Sequence, residues 1–199
     1  MNKGFRYLND IFIVVYYFSK LNVLFLIYSL LGLGIFGFFP SLTSLFIIVK
    51  DRDYNESNYS IRKVYPIYFK KRFLKSNLIG WMMTGIGLLL YLNFNLLINN
   101  DYSFEPFIVV TFITVTSLFL TMLVWVFPLI ISMEESLFDI LRKAFIVGVL
   151  KLHLSIVVII AAYFIFNISL LYPALLMFFS MSIFTYLWSL VTSVKVNVS

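Results

Sequence analysis

The sequence predicts an all-α fold, a polytopic membrane helical bundle. Five transmembrane helices are expected, with an N-terminal amphipathic helix ahead of them and a basic, helical cytoplasmic loop among them. Three observations carry this. Of 199 residues, 62% are hydrophobic, 20% aromatic and only 12% charged, where a soluble domain runs about 45–50% apolar and roughly 25% charged. Five stretches free of Asp, Glu, Lys and Arg reach the length of a bilayer crossing, which needs about 20 apolar residues in a helix. No segment shows the period-2 alternation of a membrane β-barrel, which leaves helices to satisfy the backbone in lipid. The composition excludes an ordinary soluble enzyme, a disordered chain and a collagen-like fibre. With no cysteine, a disulfide scaffold or a zinc finger is excluded as well.

The chain reads as one membrane domain, 1–199. In residues 1–20, Phe5, Leu8, Phe12, Val15 and Tyr16 recur near helical spacing, with Lys3, Arg6, Asn9 and Asp10 between them. That pattern predicts an amphipathic helix lying in the interface. The apolar run 11–18 is short, ends at Lys20 and is followed by no small-x-small site, so a cleaved signal is not expected. Residues 21–49 are too few for two full crossings. They predict one span to about Phe39, then Pro40 and a short apolar helix, which either continues the span past a kink or turns along the interface. Residues 50–75 form the basic loop, 76–100 the second span and 107–133 the third. A cytoplasmic segment, 134–151, follows. Spans 152–172 and 174–194 complete the set and meet at a tight Tyr172-Pro173 hairpin.

Basic residues set the orientation. The 50–75 loop holds Lys50, Arg52, Arg62, Lys63, Lys70, Lys71, Arg72 and Lys75, eight of the fifteen, and is therefore expected in the cytoplasm. Loop 99–106 carries only acids and faces out. Segment 134–151, with Arg142, Lys143 and Lys151, and the tail, with Lys195, return inside. Parity then puts the N-terminus outside despite Lys3, Arg6 and Lys20. Either the first segment is re-entrant or the crowded next loop outweighs these three charges; the second is favoured.

Little chemistry is visible. Gly32, Gly34 and Gly37 match a dinucleotide-binding pattern but lie inside a span, without the strand, helix and acid that the motif needs. Small residues that let helices approach are the plainer reading: Gly32, Gly34, Gly37, Pro40 and Ser41 in the first span, Gly80, Thr84, Gly85 and Gly87 in the second. Gly34, Gly37 and Pro40 also predict a bend. No acid or base falls in a span core, which argues against a proton- or ion-coupled transporter. The span count of five does not divide into two equal repeats. Thr111, Thr114, Thr116, Ser117 and Thr121 read as interhelical hydrogen-bonding groups, or as a hydroxyl-lined path. His153 alone makes no metal site. Glu134-Glu135 lacks the Arg and the further histidines of intramembrane proteases of the prenyl-protein type, so no catalysis and no cofactor are expected. In the basic loop, Arg62, Lys63, Lys70, Lys71, Arg72 and Lys75 interleave with aromatic and aliphatic residues. They predict contact with anionic lipid or a cytoplasmic partner; nucleic acid is not expected so near a membrane.

The stretch from Lys20-Leu21-Asn22 through Gly37-Phe38-Phe39-Pro40-Ser41 to Phe46, with the run Tyr68 to Asn77, resembles the YesL-like family of small bacterial membrane proteins, whose function is unknown. Its members show an Asn early in the first span, a Gly-Phe-Phe-Pro-like corner and a basic loop ending in a Phe-x-x-x-Phe-(Lys/Arg)-x-Asn-like run. The resemblance implies an accessory role beside carbohydrate ABC importers, since genes of this family often neighbour importer genes in Gram-positive bacteria. The topology is also similar to the five-helix core of type I importer permeases. Glu134, Glu135, Asp139, Arg142 and Lys143 then stand where a permease coupling segment meets the ATPase. The expected function is a non-catalytic accessory subunit packing against permease subunits. A stand-alone transporter or channel, and an assembly or sensing factor that binds anionic lipid, are the alternatives. A cysteine introduced at Asn2 is expected to react with an impermeant reagent on intact cells; reaction only after permeabilisation would remove the proposed first crossing.

Overall fold

The computed structural model describes residues 3–51, 61–99, 106–132 and 136–193. These residues form eight helices in order: α1 Lys3–Leu31, α2 Phe38–Lys50, α3 Ile61–Asn99, α4 Pro106–Ser132, α5 Leu137–Leu150, α6 Leu152–Leu171, α7 Pro173–Phe178 and α8 Ser180–Thr192. The described residues are helical apart from short connections, so the all-α membrane bundle stands. Among the described residues four helices are long and apolar enough to cross a membrane: Leu8–Leu31, Ile61–Asn99, Pro106–Ile131 and Leu152–Leu171. The fifth expected span, 174–194, is two helices broken at Phe179, whose backbone leaves the helical region at φ −138° and ψ −32°.

The chain divides into two compact units, Met1–Phe73 with Ile160–Val194, and Leu74–Ile159 with Lys195–Ser199. The first is organised around α2. The expected separate N-terminal helix is absent as such: α1 runs unbroken from Lys3 to Leu31, because no Gly or Pro interrupts those residues after Gly4. It stops eight residues before Phe39. Leu33 and Gly34 both take positive φ, 60° and 70°, and this left-handed pair reverses the chain. Pro40 therefore kinks nothing. It lies in the first turn of a new helix, where its missing N–H has no carbonyl to meet.

α2 then folds back along α1. Its residues Pro40 to Val49 are all buried, so it neither continues the span nor lies along an interface. A helix apolar on every side belongs inside a bundle. Its 13 residues rise only about 20 Å at 1.5 Å per residue, short of the roughly 30 Å hydrocarbon core. Phe25 meets Phe38 edge-on at 5.7 Å, and Phe46 meets Trp188 of α8 edge-on at 5.3 Å. α8 also runs beside α1, where Phe18 meets Tyr186 at 5.3 Å.

The second unit repeats the pattern of a long helix followed by a short returning one. α5 folds back on α4 and buries Ile140, Ala144, Val147 and Gly148. A Cβ on Gly148 would lie 3.1 Å from the Thr121 carbonyl carbon, so glycine sets how closely the two helices approach. Segment 134–151 is thus for the most part a helix packed along a span. Ser136 caps it, accepting from the Asp139 amide at 3.3 Å, while Trp125, 1% exposed, donates its indole N–H to Ser155 at 2.9 Å. The Lys151 ammonium sits 5.7 Å from the centre of the Trp125 ring. The basic loop and second span also differ from expectation. From Ile61 the chain is a single helix to Asn99, through Pro66.

The reversal at 32–37 rests on backbone contact. A Cβ on Gly32 would overlap the backbone of Gly37, and one on Gly37 would overlap the carbonyl of Ser29. Gly37→Ala is expected to destabilise the protein by about 3 kcal/mol, the upper end for overpacking a tight site. Gly34→Ala, which has space but an unfavourable φ, should cost about 1 kcal/mol. Unfolding in mixed micelles measures both, and equal effects would contradict the turn geometry.

Candidate functional site

The densest polar chemistry in the first unit is one asparagine. Asn22 is fully buried on α1 and faces the break between α7 and α8. Its Nδ2 donates to the carbonyls of Leu176 at 3.1 Å and Met177 at 2.7 Å. Its Oδ1 accepts from the amides of Met181 at 3.0 Å and Ser182 at 3.1 Å. A helix interrupted at Phe179 leaves such groups without their i→i−4 partners, and in hydrocarbon each would be costly. One primary amide, with two donors and an acceptor of two lone pairs, serves all four. Asn22 lies nine residues before Leu31, about 14 Å along the helix.

Beside this break a cavity of about 590 Å³ opens between α1, α6 and the α7–α8 pair, lined by Phe25, Leu26, Phe166, Ser169, Ser180 and Met181 among others. The Ser169 and Ser180 hydroxyls lie 2.5 Å apart. Ser169 donates to the Ile165 carbonyl at 2.6 Å, and Ser180 to that of Leu175 at 2.9 Å. The walls are otherwise aliphatic and aromatic.

A second polar knot joins α1, α2 and α3. Ser41 donates to the Phe25 carbonyl at 2.8 Å. The Tyr65 hydroxyl donates to the Ser41 carbonyl at 2.8 Å and lies equally close to the Ser41 hydroxyl. Tyr65 is itself fully buried and stacks on Tyr28, centroids 5.0 Å apart. This ties the start of α3 to the α1–α2 hairpin.

The expected site residues separate into groups. Gly32, Gly34 and Gly37 build the turn, and Pro40 and Ser41 begin α2. On α3, Gly80 is buried and its carbonyl accepts from Thr84 at 2.9 Å. Gly87 lies 3.5 Å from the Phe119 ring by its would-be Cβ, whereas Gly85 has nothing within 4 Å. Arg62, Lys63, Lys70 and Lys71 are exposed, and Arg72 and Lys75 are half-buried. Arg142 is exposed and Lys143 half-buried on α5, where Asp139 takes part in the cap; Glu134 and Glu135 lie outside the described residues. The hydroxyls of Thr111 and Thr114 donate to Phe107 and Val110 in their own helix, each at 2.8 Å. Sequence reasoning did not single out Asn22 or Tyr65 as site residues. An amide within the first apolar stretch was the available signal, since such a group in lipid must find partners.

Residues 18–94 match the family described as protein of unknown function, DUF624. They contain Asn22, the glycine turn, Ser41 and Tyr65. The chain is 26% identical over 171 residues to the uncharacterized protein YteU of Bacillus subtilis (strain 168), covering 85% of this chain and 76% of that protein. It is 22% identical over 165 residues to the uncharacterized protein YesL of the same organism, covering 83% and 78%. The resemblance to the YesL-like family holds. No solved structure matches the chain. The YesL-like corner Gly37-Phe38-Phe39-Pro40 is thus the start of the buried helix, and the early Asn is the cap of the broken one.

Asn22→Leu keeps the γ-branched shape and removes all four bonds. It is expected to cost about 2–4 kcal/mol, between the modest value of one interhelical hydrogen bond in lipid and the penalty for several unpaired buried groups. Reversible unfolding in mixed micelles checks this; a loss under about 0.5 kcal/mol would show that the bridge is not needed.

Proposed function

We propose that the protein is a non-catalytic membrane subunit that packs against another helical membrane protein, and that this partner is the permease of a bacterial carbohydrate ABC importer. The observation that carries the packing role is the membrane stretch of α3. Only 6% of its span window is buried within the chain, and Gly85 presents bare backbone with nothing within 4 Å of a would-be Cβ. Beside it Thr84 is exposed. A small-residue surface of this kind lets a second helix approach closely in lipid. The permease as partner rests on the YesL-like resemblance and its importer association, an argument by analogy.

In this reading the basic segment 62–75 faces the cytoplasm, following the bias of Lys and Arg. Lys70 lines the same cleft as Gly32 and Leu33, which follow the end of α1. The 29 residues of α1 span about 43 Å, long enough to support an N-terminus on the opposite side. An ATPase contact would use the exposed Arg142 near the start of α5.

Affinity purification of the native chain in mild detergent is expected to bring down importer permease subunits in stoichiometric amount. Gly85→Leu should lower that yield about fivefold or more while leaving the melting temperature of the isolated chain within a few degrees. Recovery of a homo-oligomer alone, or equal yields for both chains, would overturn the reading.

A further inference from the structure

We propose that the cleft at the α1–α2 turn binds one anionic glycerophospholipid, with an acyl chain in the cleft and the phosphodiester on Lys70. This rests on the chain being a membrane protein and is independent of the permease as partner. The cleft has a volume of about 500 Å³ and is lined by Tyr28, Leu33, Phe36, Phe69, Phe73 and Lys70 among others. That volume falls within the roughly 300–1,000 Å³ of small-ligand sites.

The chemistry of the wall selects the occupant. Lys70 is the one charged residue on a lining that is otherwise aromatic, aliphatic, proline and glycine. A ligand that fills it must be hydrocarbon along most of its length and anionic at one end. Arg62, Pro66, Phe69 and Phe73 recur at intervals of four, three and four, which places them on one face of α3. Arg62 therefore adds a second positive charge on the cleft side of the helix, about 12 Å from Lys70 along the axis. Lys63, Lys71 and Arg72 surround the same turns and raise the local concentration of anionic headgroups, as polybasic segments at a membrane surface do. The lip is apolar. Leu33 is 82% exposed and held at φ 60°, a conformation that L-residues avoid. The floor is packed, since Tyr28 stacks on buried Tyr65 and meets Phe69 at 5.2 Å.

The test uses the purified full chain in detergent, with phosphatidylglycerol carrying a photoactivatable diazirine in its acyl chain, and phosphatidylcholine with the same chain. Labelled residues are mapped by mass spectrometry. Phosphatidylglycerol is expected to label segments 28–36 and 66–73 at least threefold more than phosphatidylcholine. Lys70→Gln should reduce that labelling to the phosphatidylcholine level and Lys70→Arg should restore it; Lys70 is exposed, so neither disturbs the core. Excess inorganic phosphate should leave the labelling unchanged. Equal labelling by the two lipids, or phosphatidylglycerol labelling unaffected by Lys70→Gln, would overturn the site. Displacement by phosphate alone would assign it to a free anion instead.

Discussion

A helix interrupted in apolar surroundings leaves carbonyls and amides without their partners one turn away, and the first unit places a single side-chain amide where four of these groups converge. Asn22 accepts from Met181 and Ser182 and donates to Leu176 and Met177. Much of that unit follows from this. Apolar side chains gain little by leaving lipid for protein, so polar bonds and close packing hold membrane helices together. The bridge fixes α1 against the α7–α8 pair, the Ser41–Tyr65 knot fixes α3 against the α1–α2 hairpin, and α2 is enclosed between α1 and α8. The cavity lies beside that break, with Leu176, Ser180 and Met181 in its wall.

Each unit uses a long helix with a short one folded back on it. α2 and α5 contain 13 and 14 residues, too few to cross. They fill space that full-length helices would otherwise have to share. Glycine permits both returns for different reasons. Gly32 and Gly37 let backbone touch backbone in the turn, Gly34 supplies the left-handed angle, and Gly148 lets α5 lie against Thr121. The first turn also lines the apolar cleft that Lys70 borders, so the device that reverses the chain also shapes that surface.

The membrane class, the helical content and three of the spans were legible in composition and in the spacing of charges, because hydrocarbon excludes both strongly. The reversal at 32–37 was legible only as a bend. Gly and Pro mark the place, but whether the chain continues or returns depends on Leu33 and Gly34 adopting positive φ together. α3 runs unbroken through Pro66, with Tyr65 anchored on Ser41. The interruption at Phe179 had no local signal at all. Met177-Phe178-Phe179-Ser180 contains no Gly or Pro, and the break is sustained from a distance by Asn22, more than 150 residues away. Among the candidate residues the glycines were found for the wrong detail, and Asn22 was visible as an early Asn without its role. A single sequence shows that a polar group in a span needs partners but does not name them.

Site-resolved amide hydrogen exchange of the full chain in micelles tests the central bond directly. Met181 and Ser182 follow a break in their helix, and their amides point at Asn22 rather than at a carbonyl one turn back. If Asn22 holds them, they exchange as slowly as amides in the middle of α8, and Asn22→Leu accelerates these two more than any others in the helix. Fast exchange of both in the unaltered protein, at the rate of a frayed helix end, would contradict the bridge and the packing built on it.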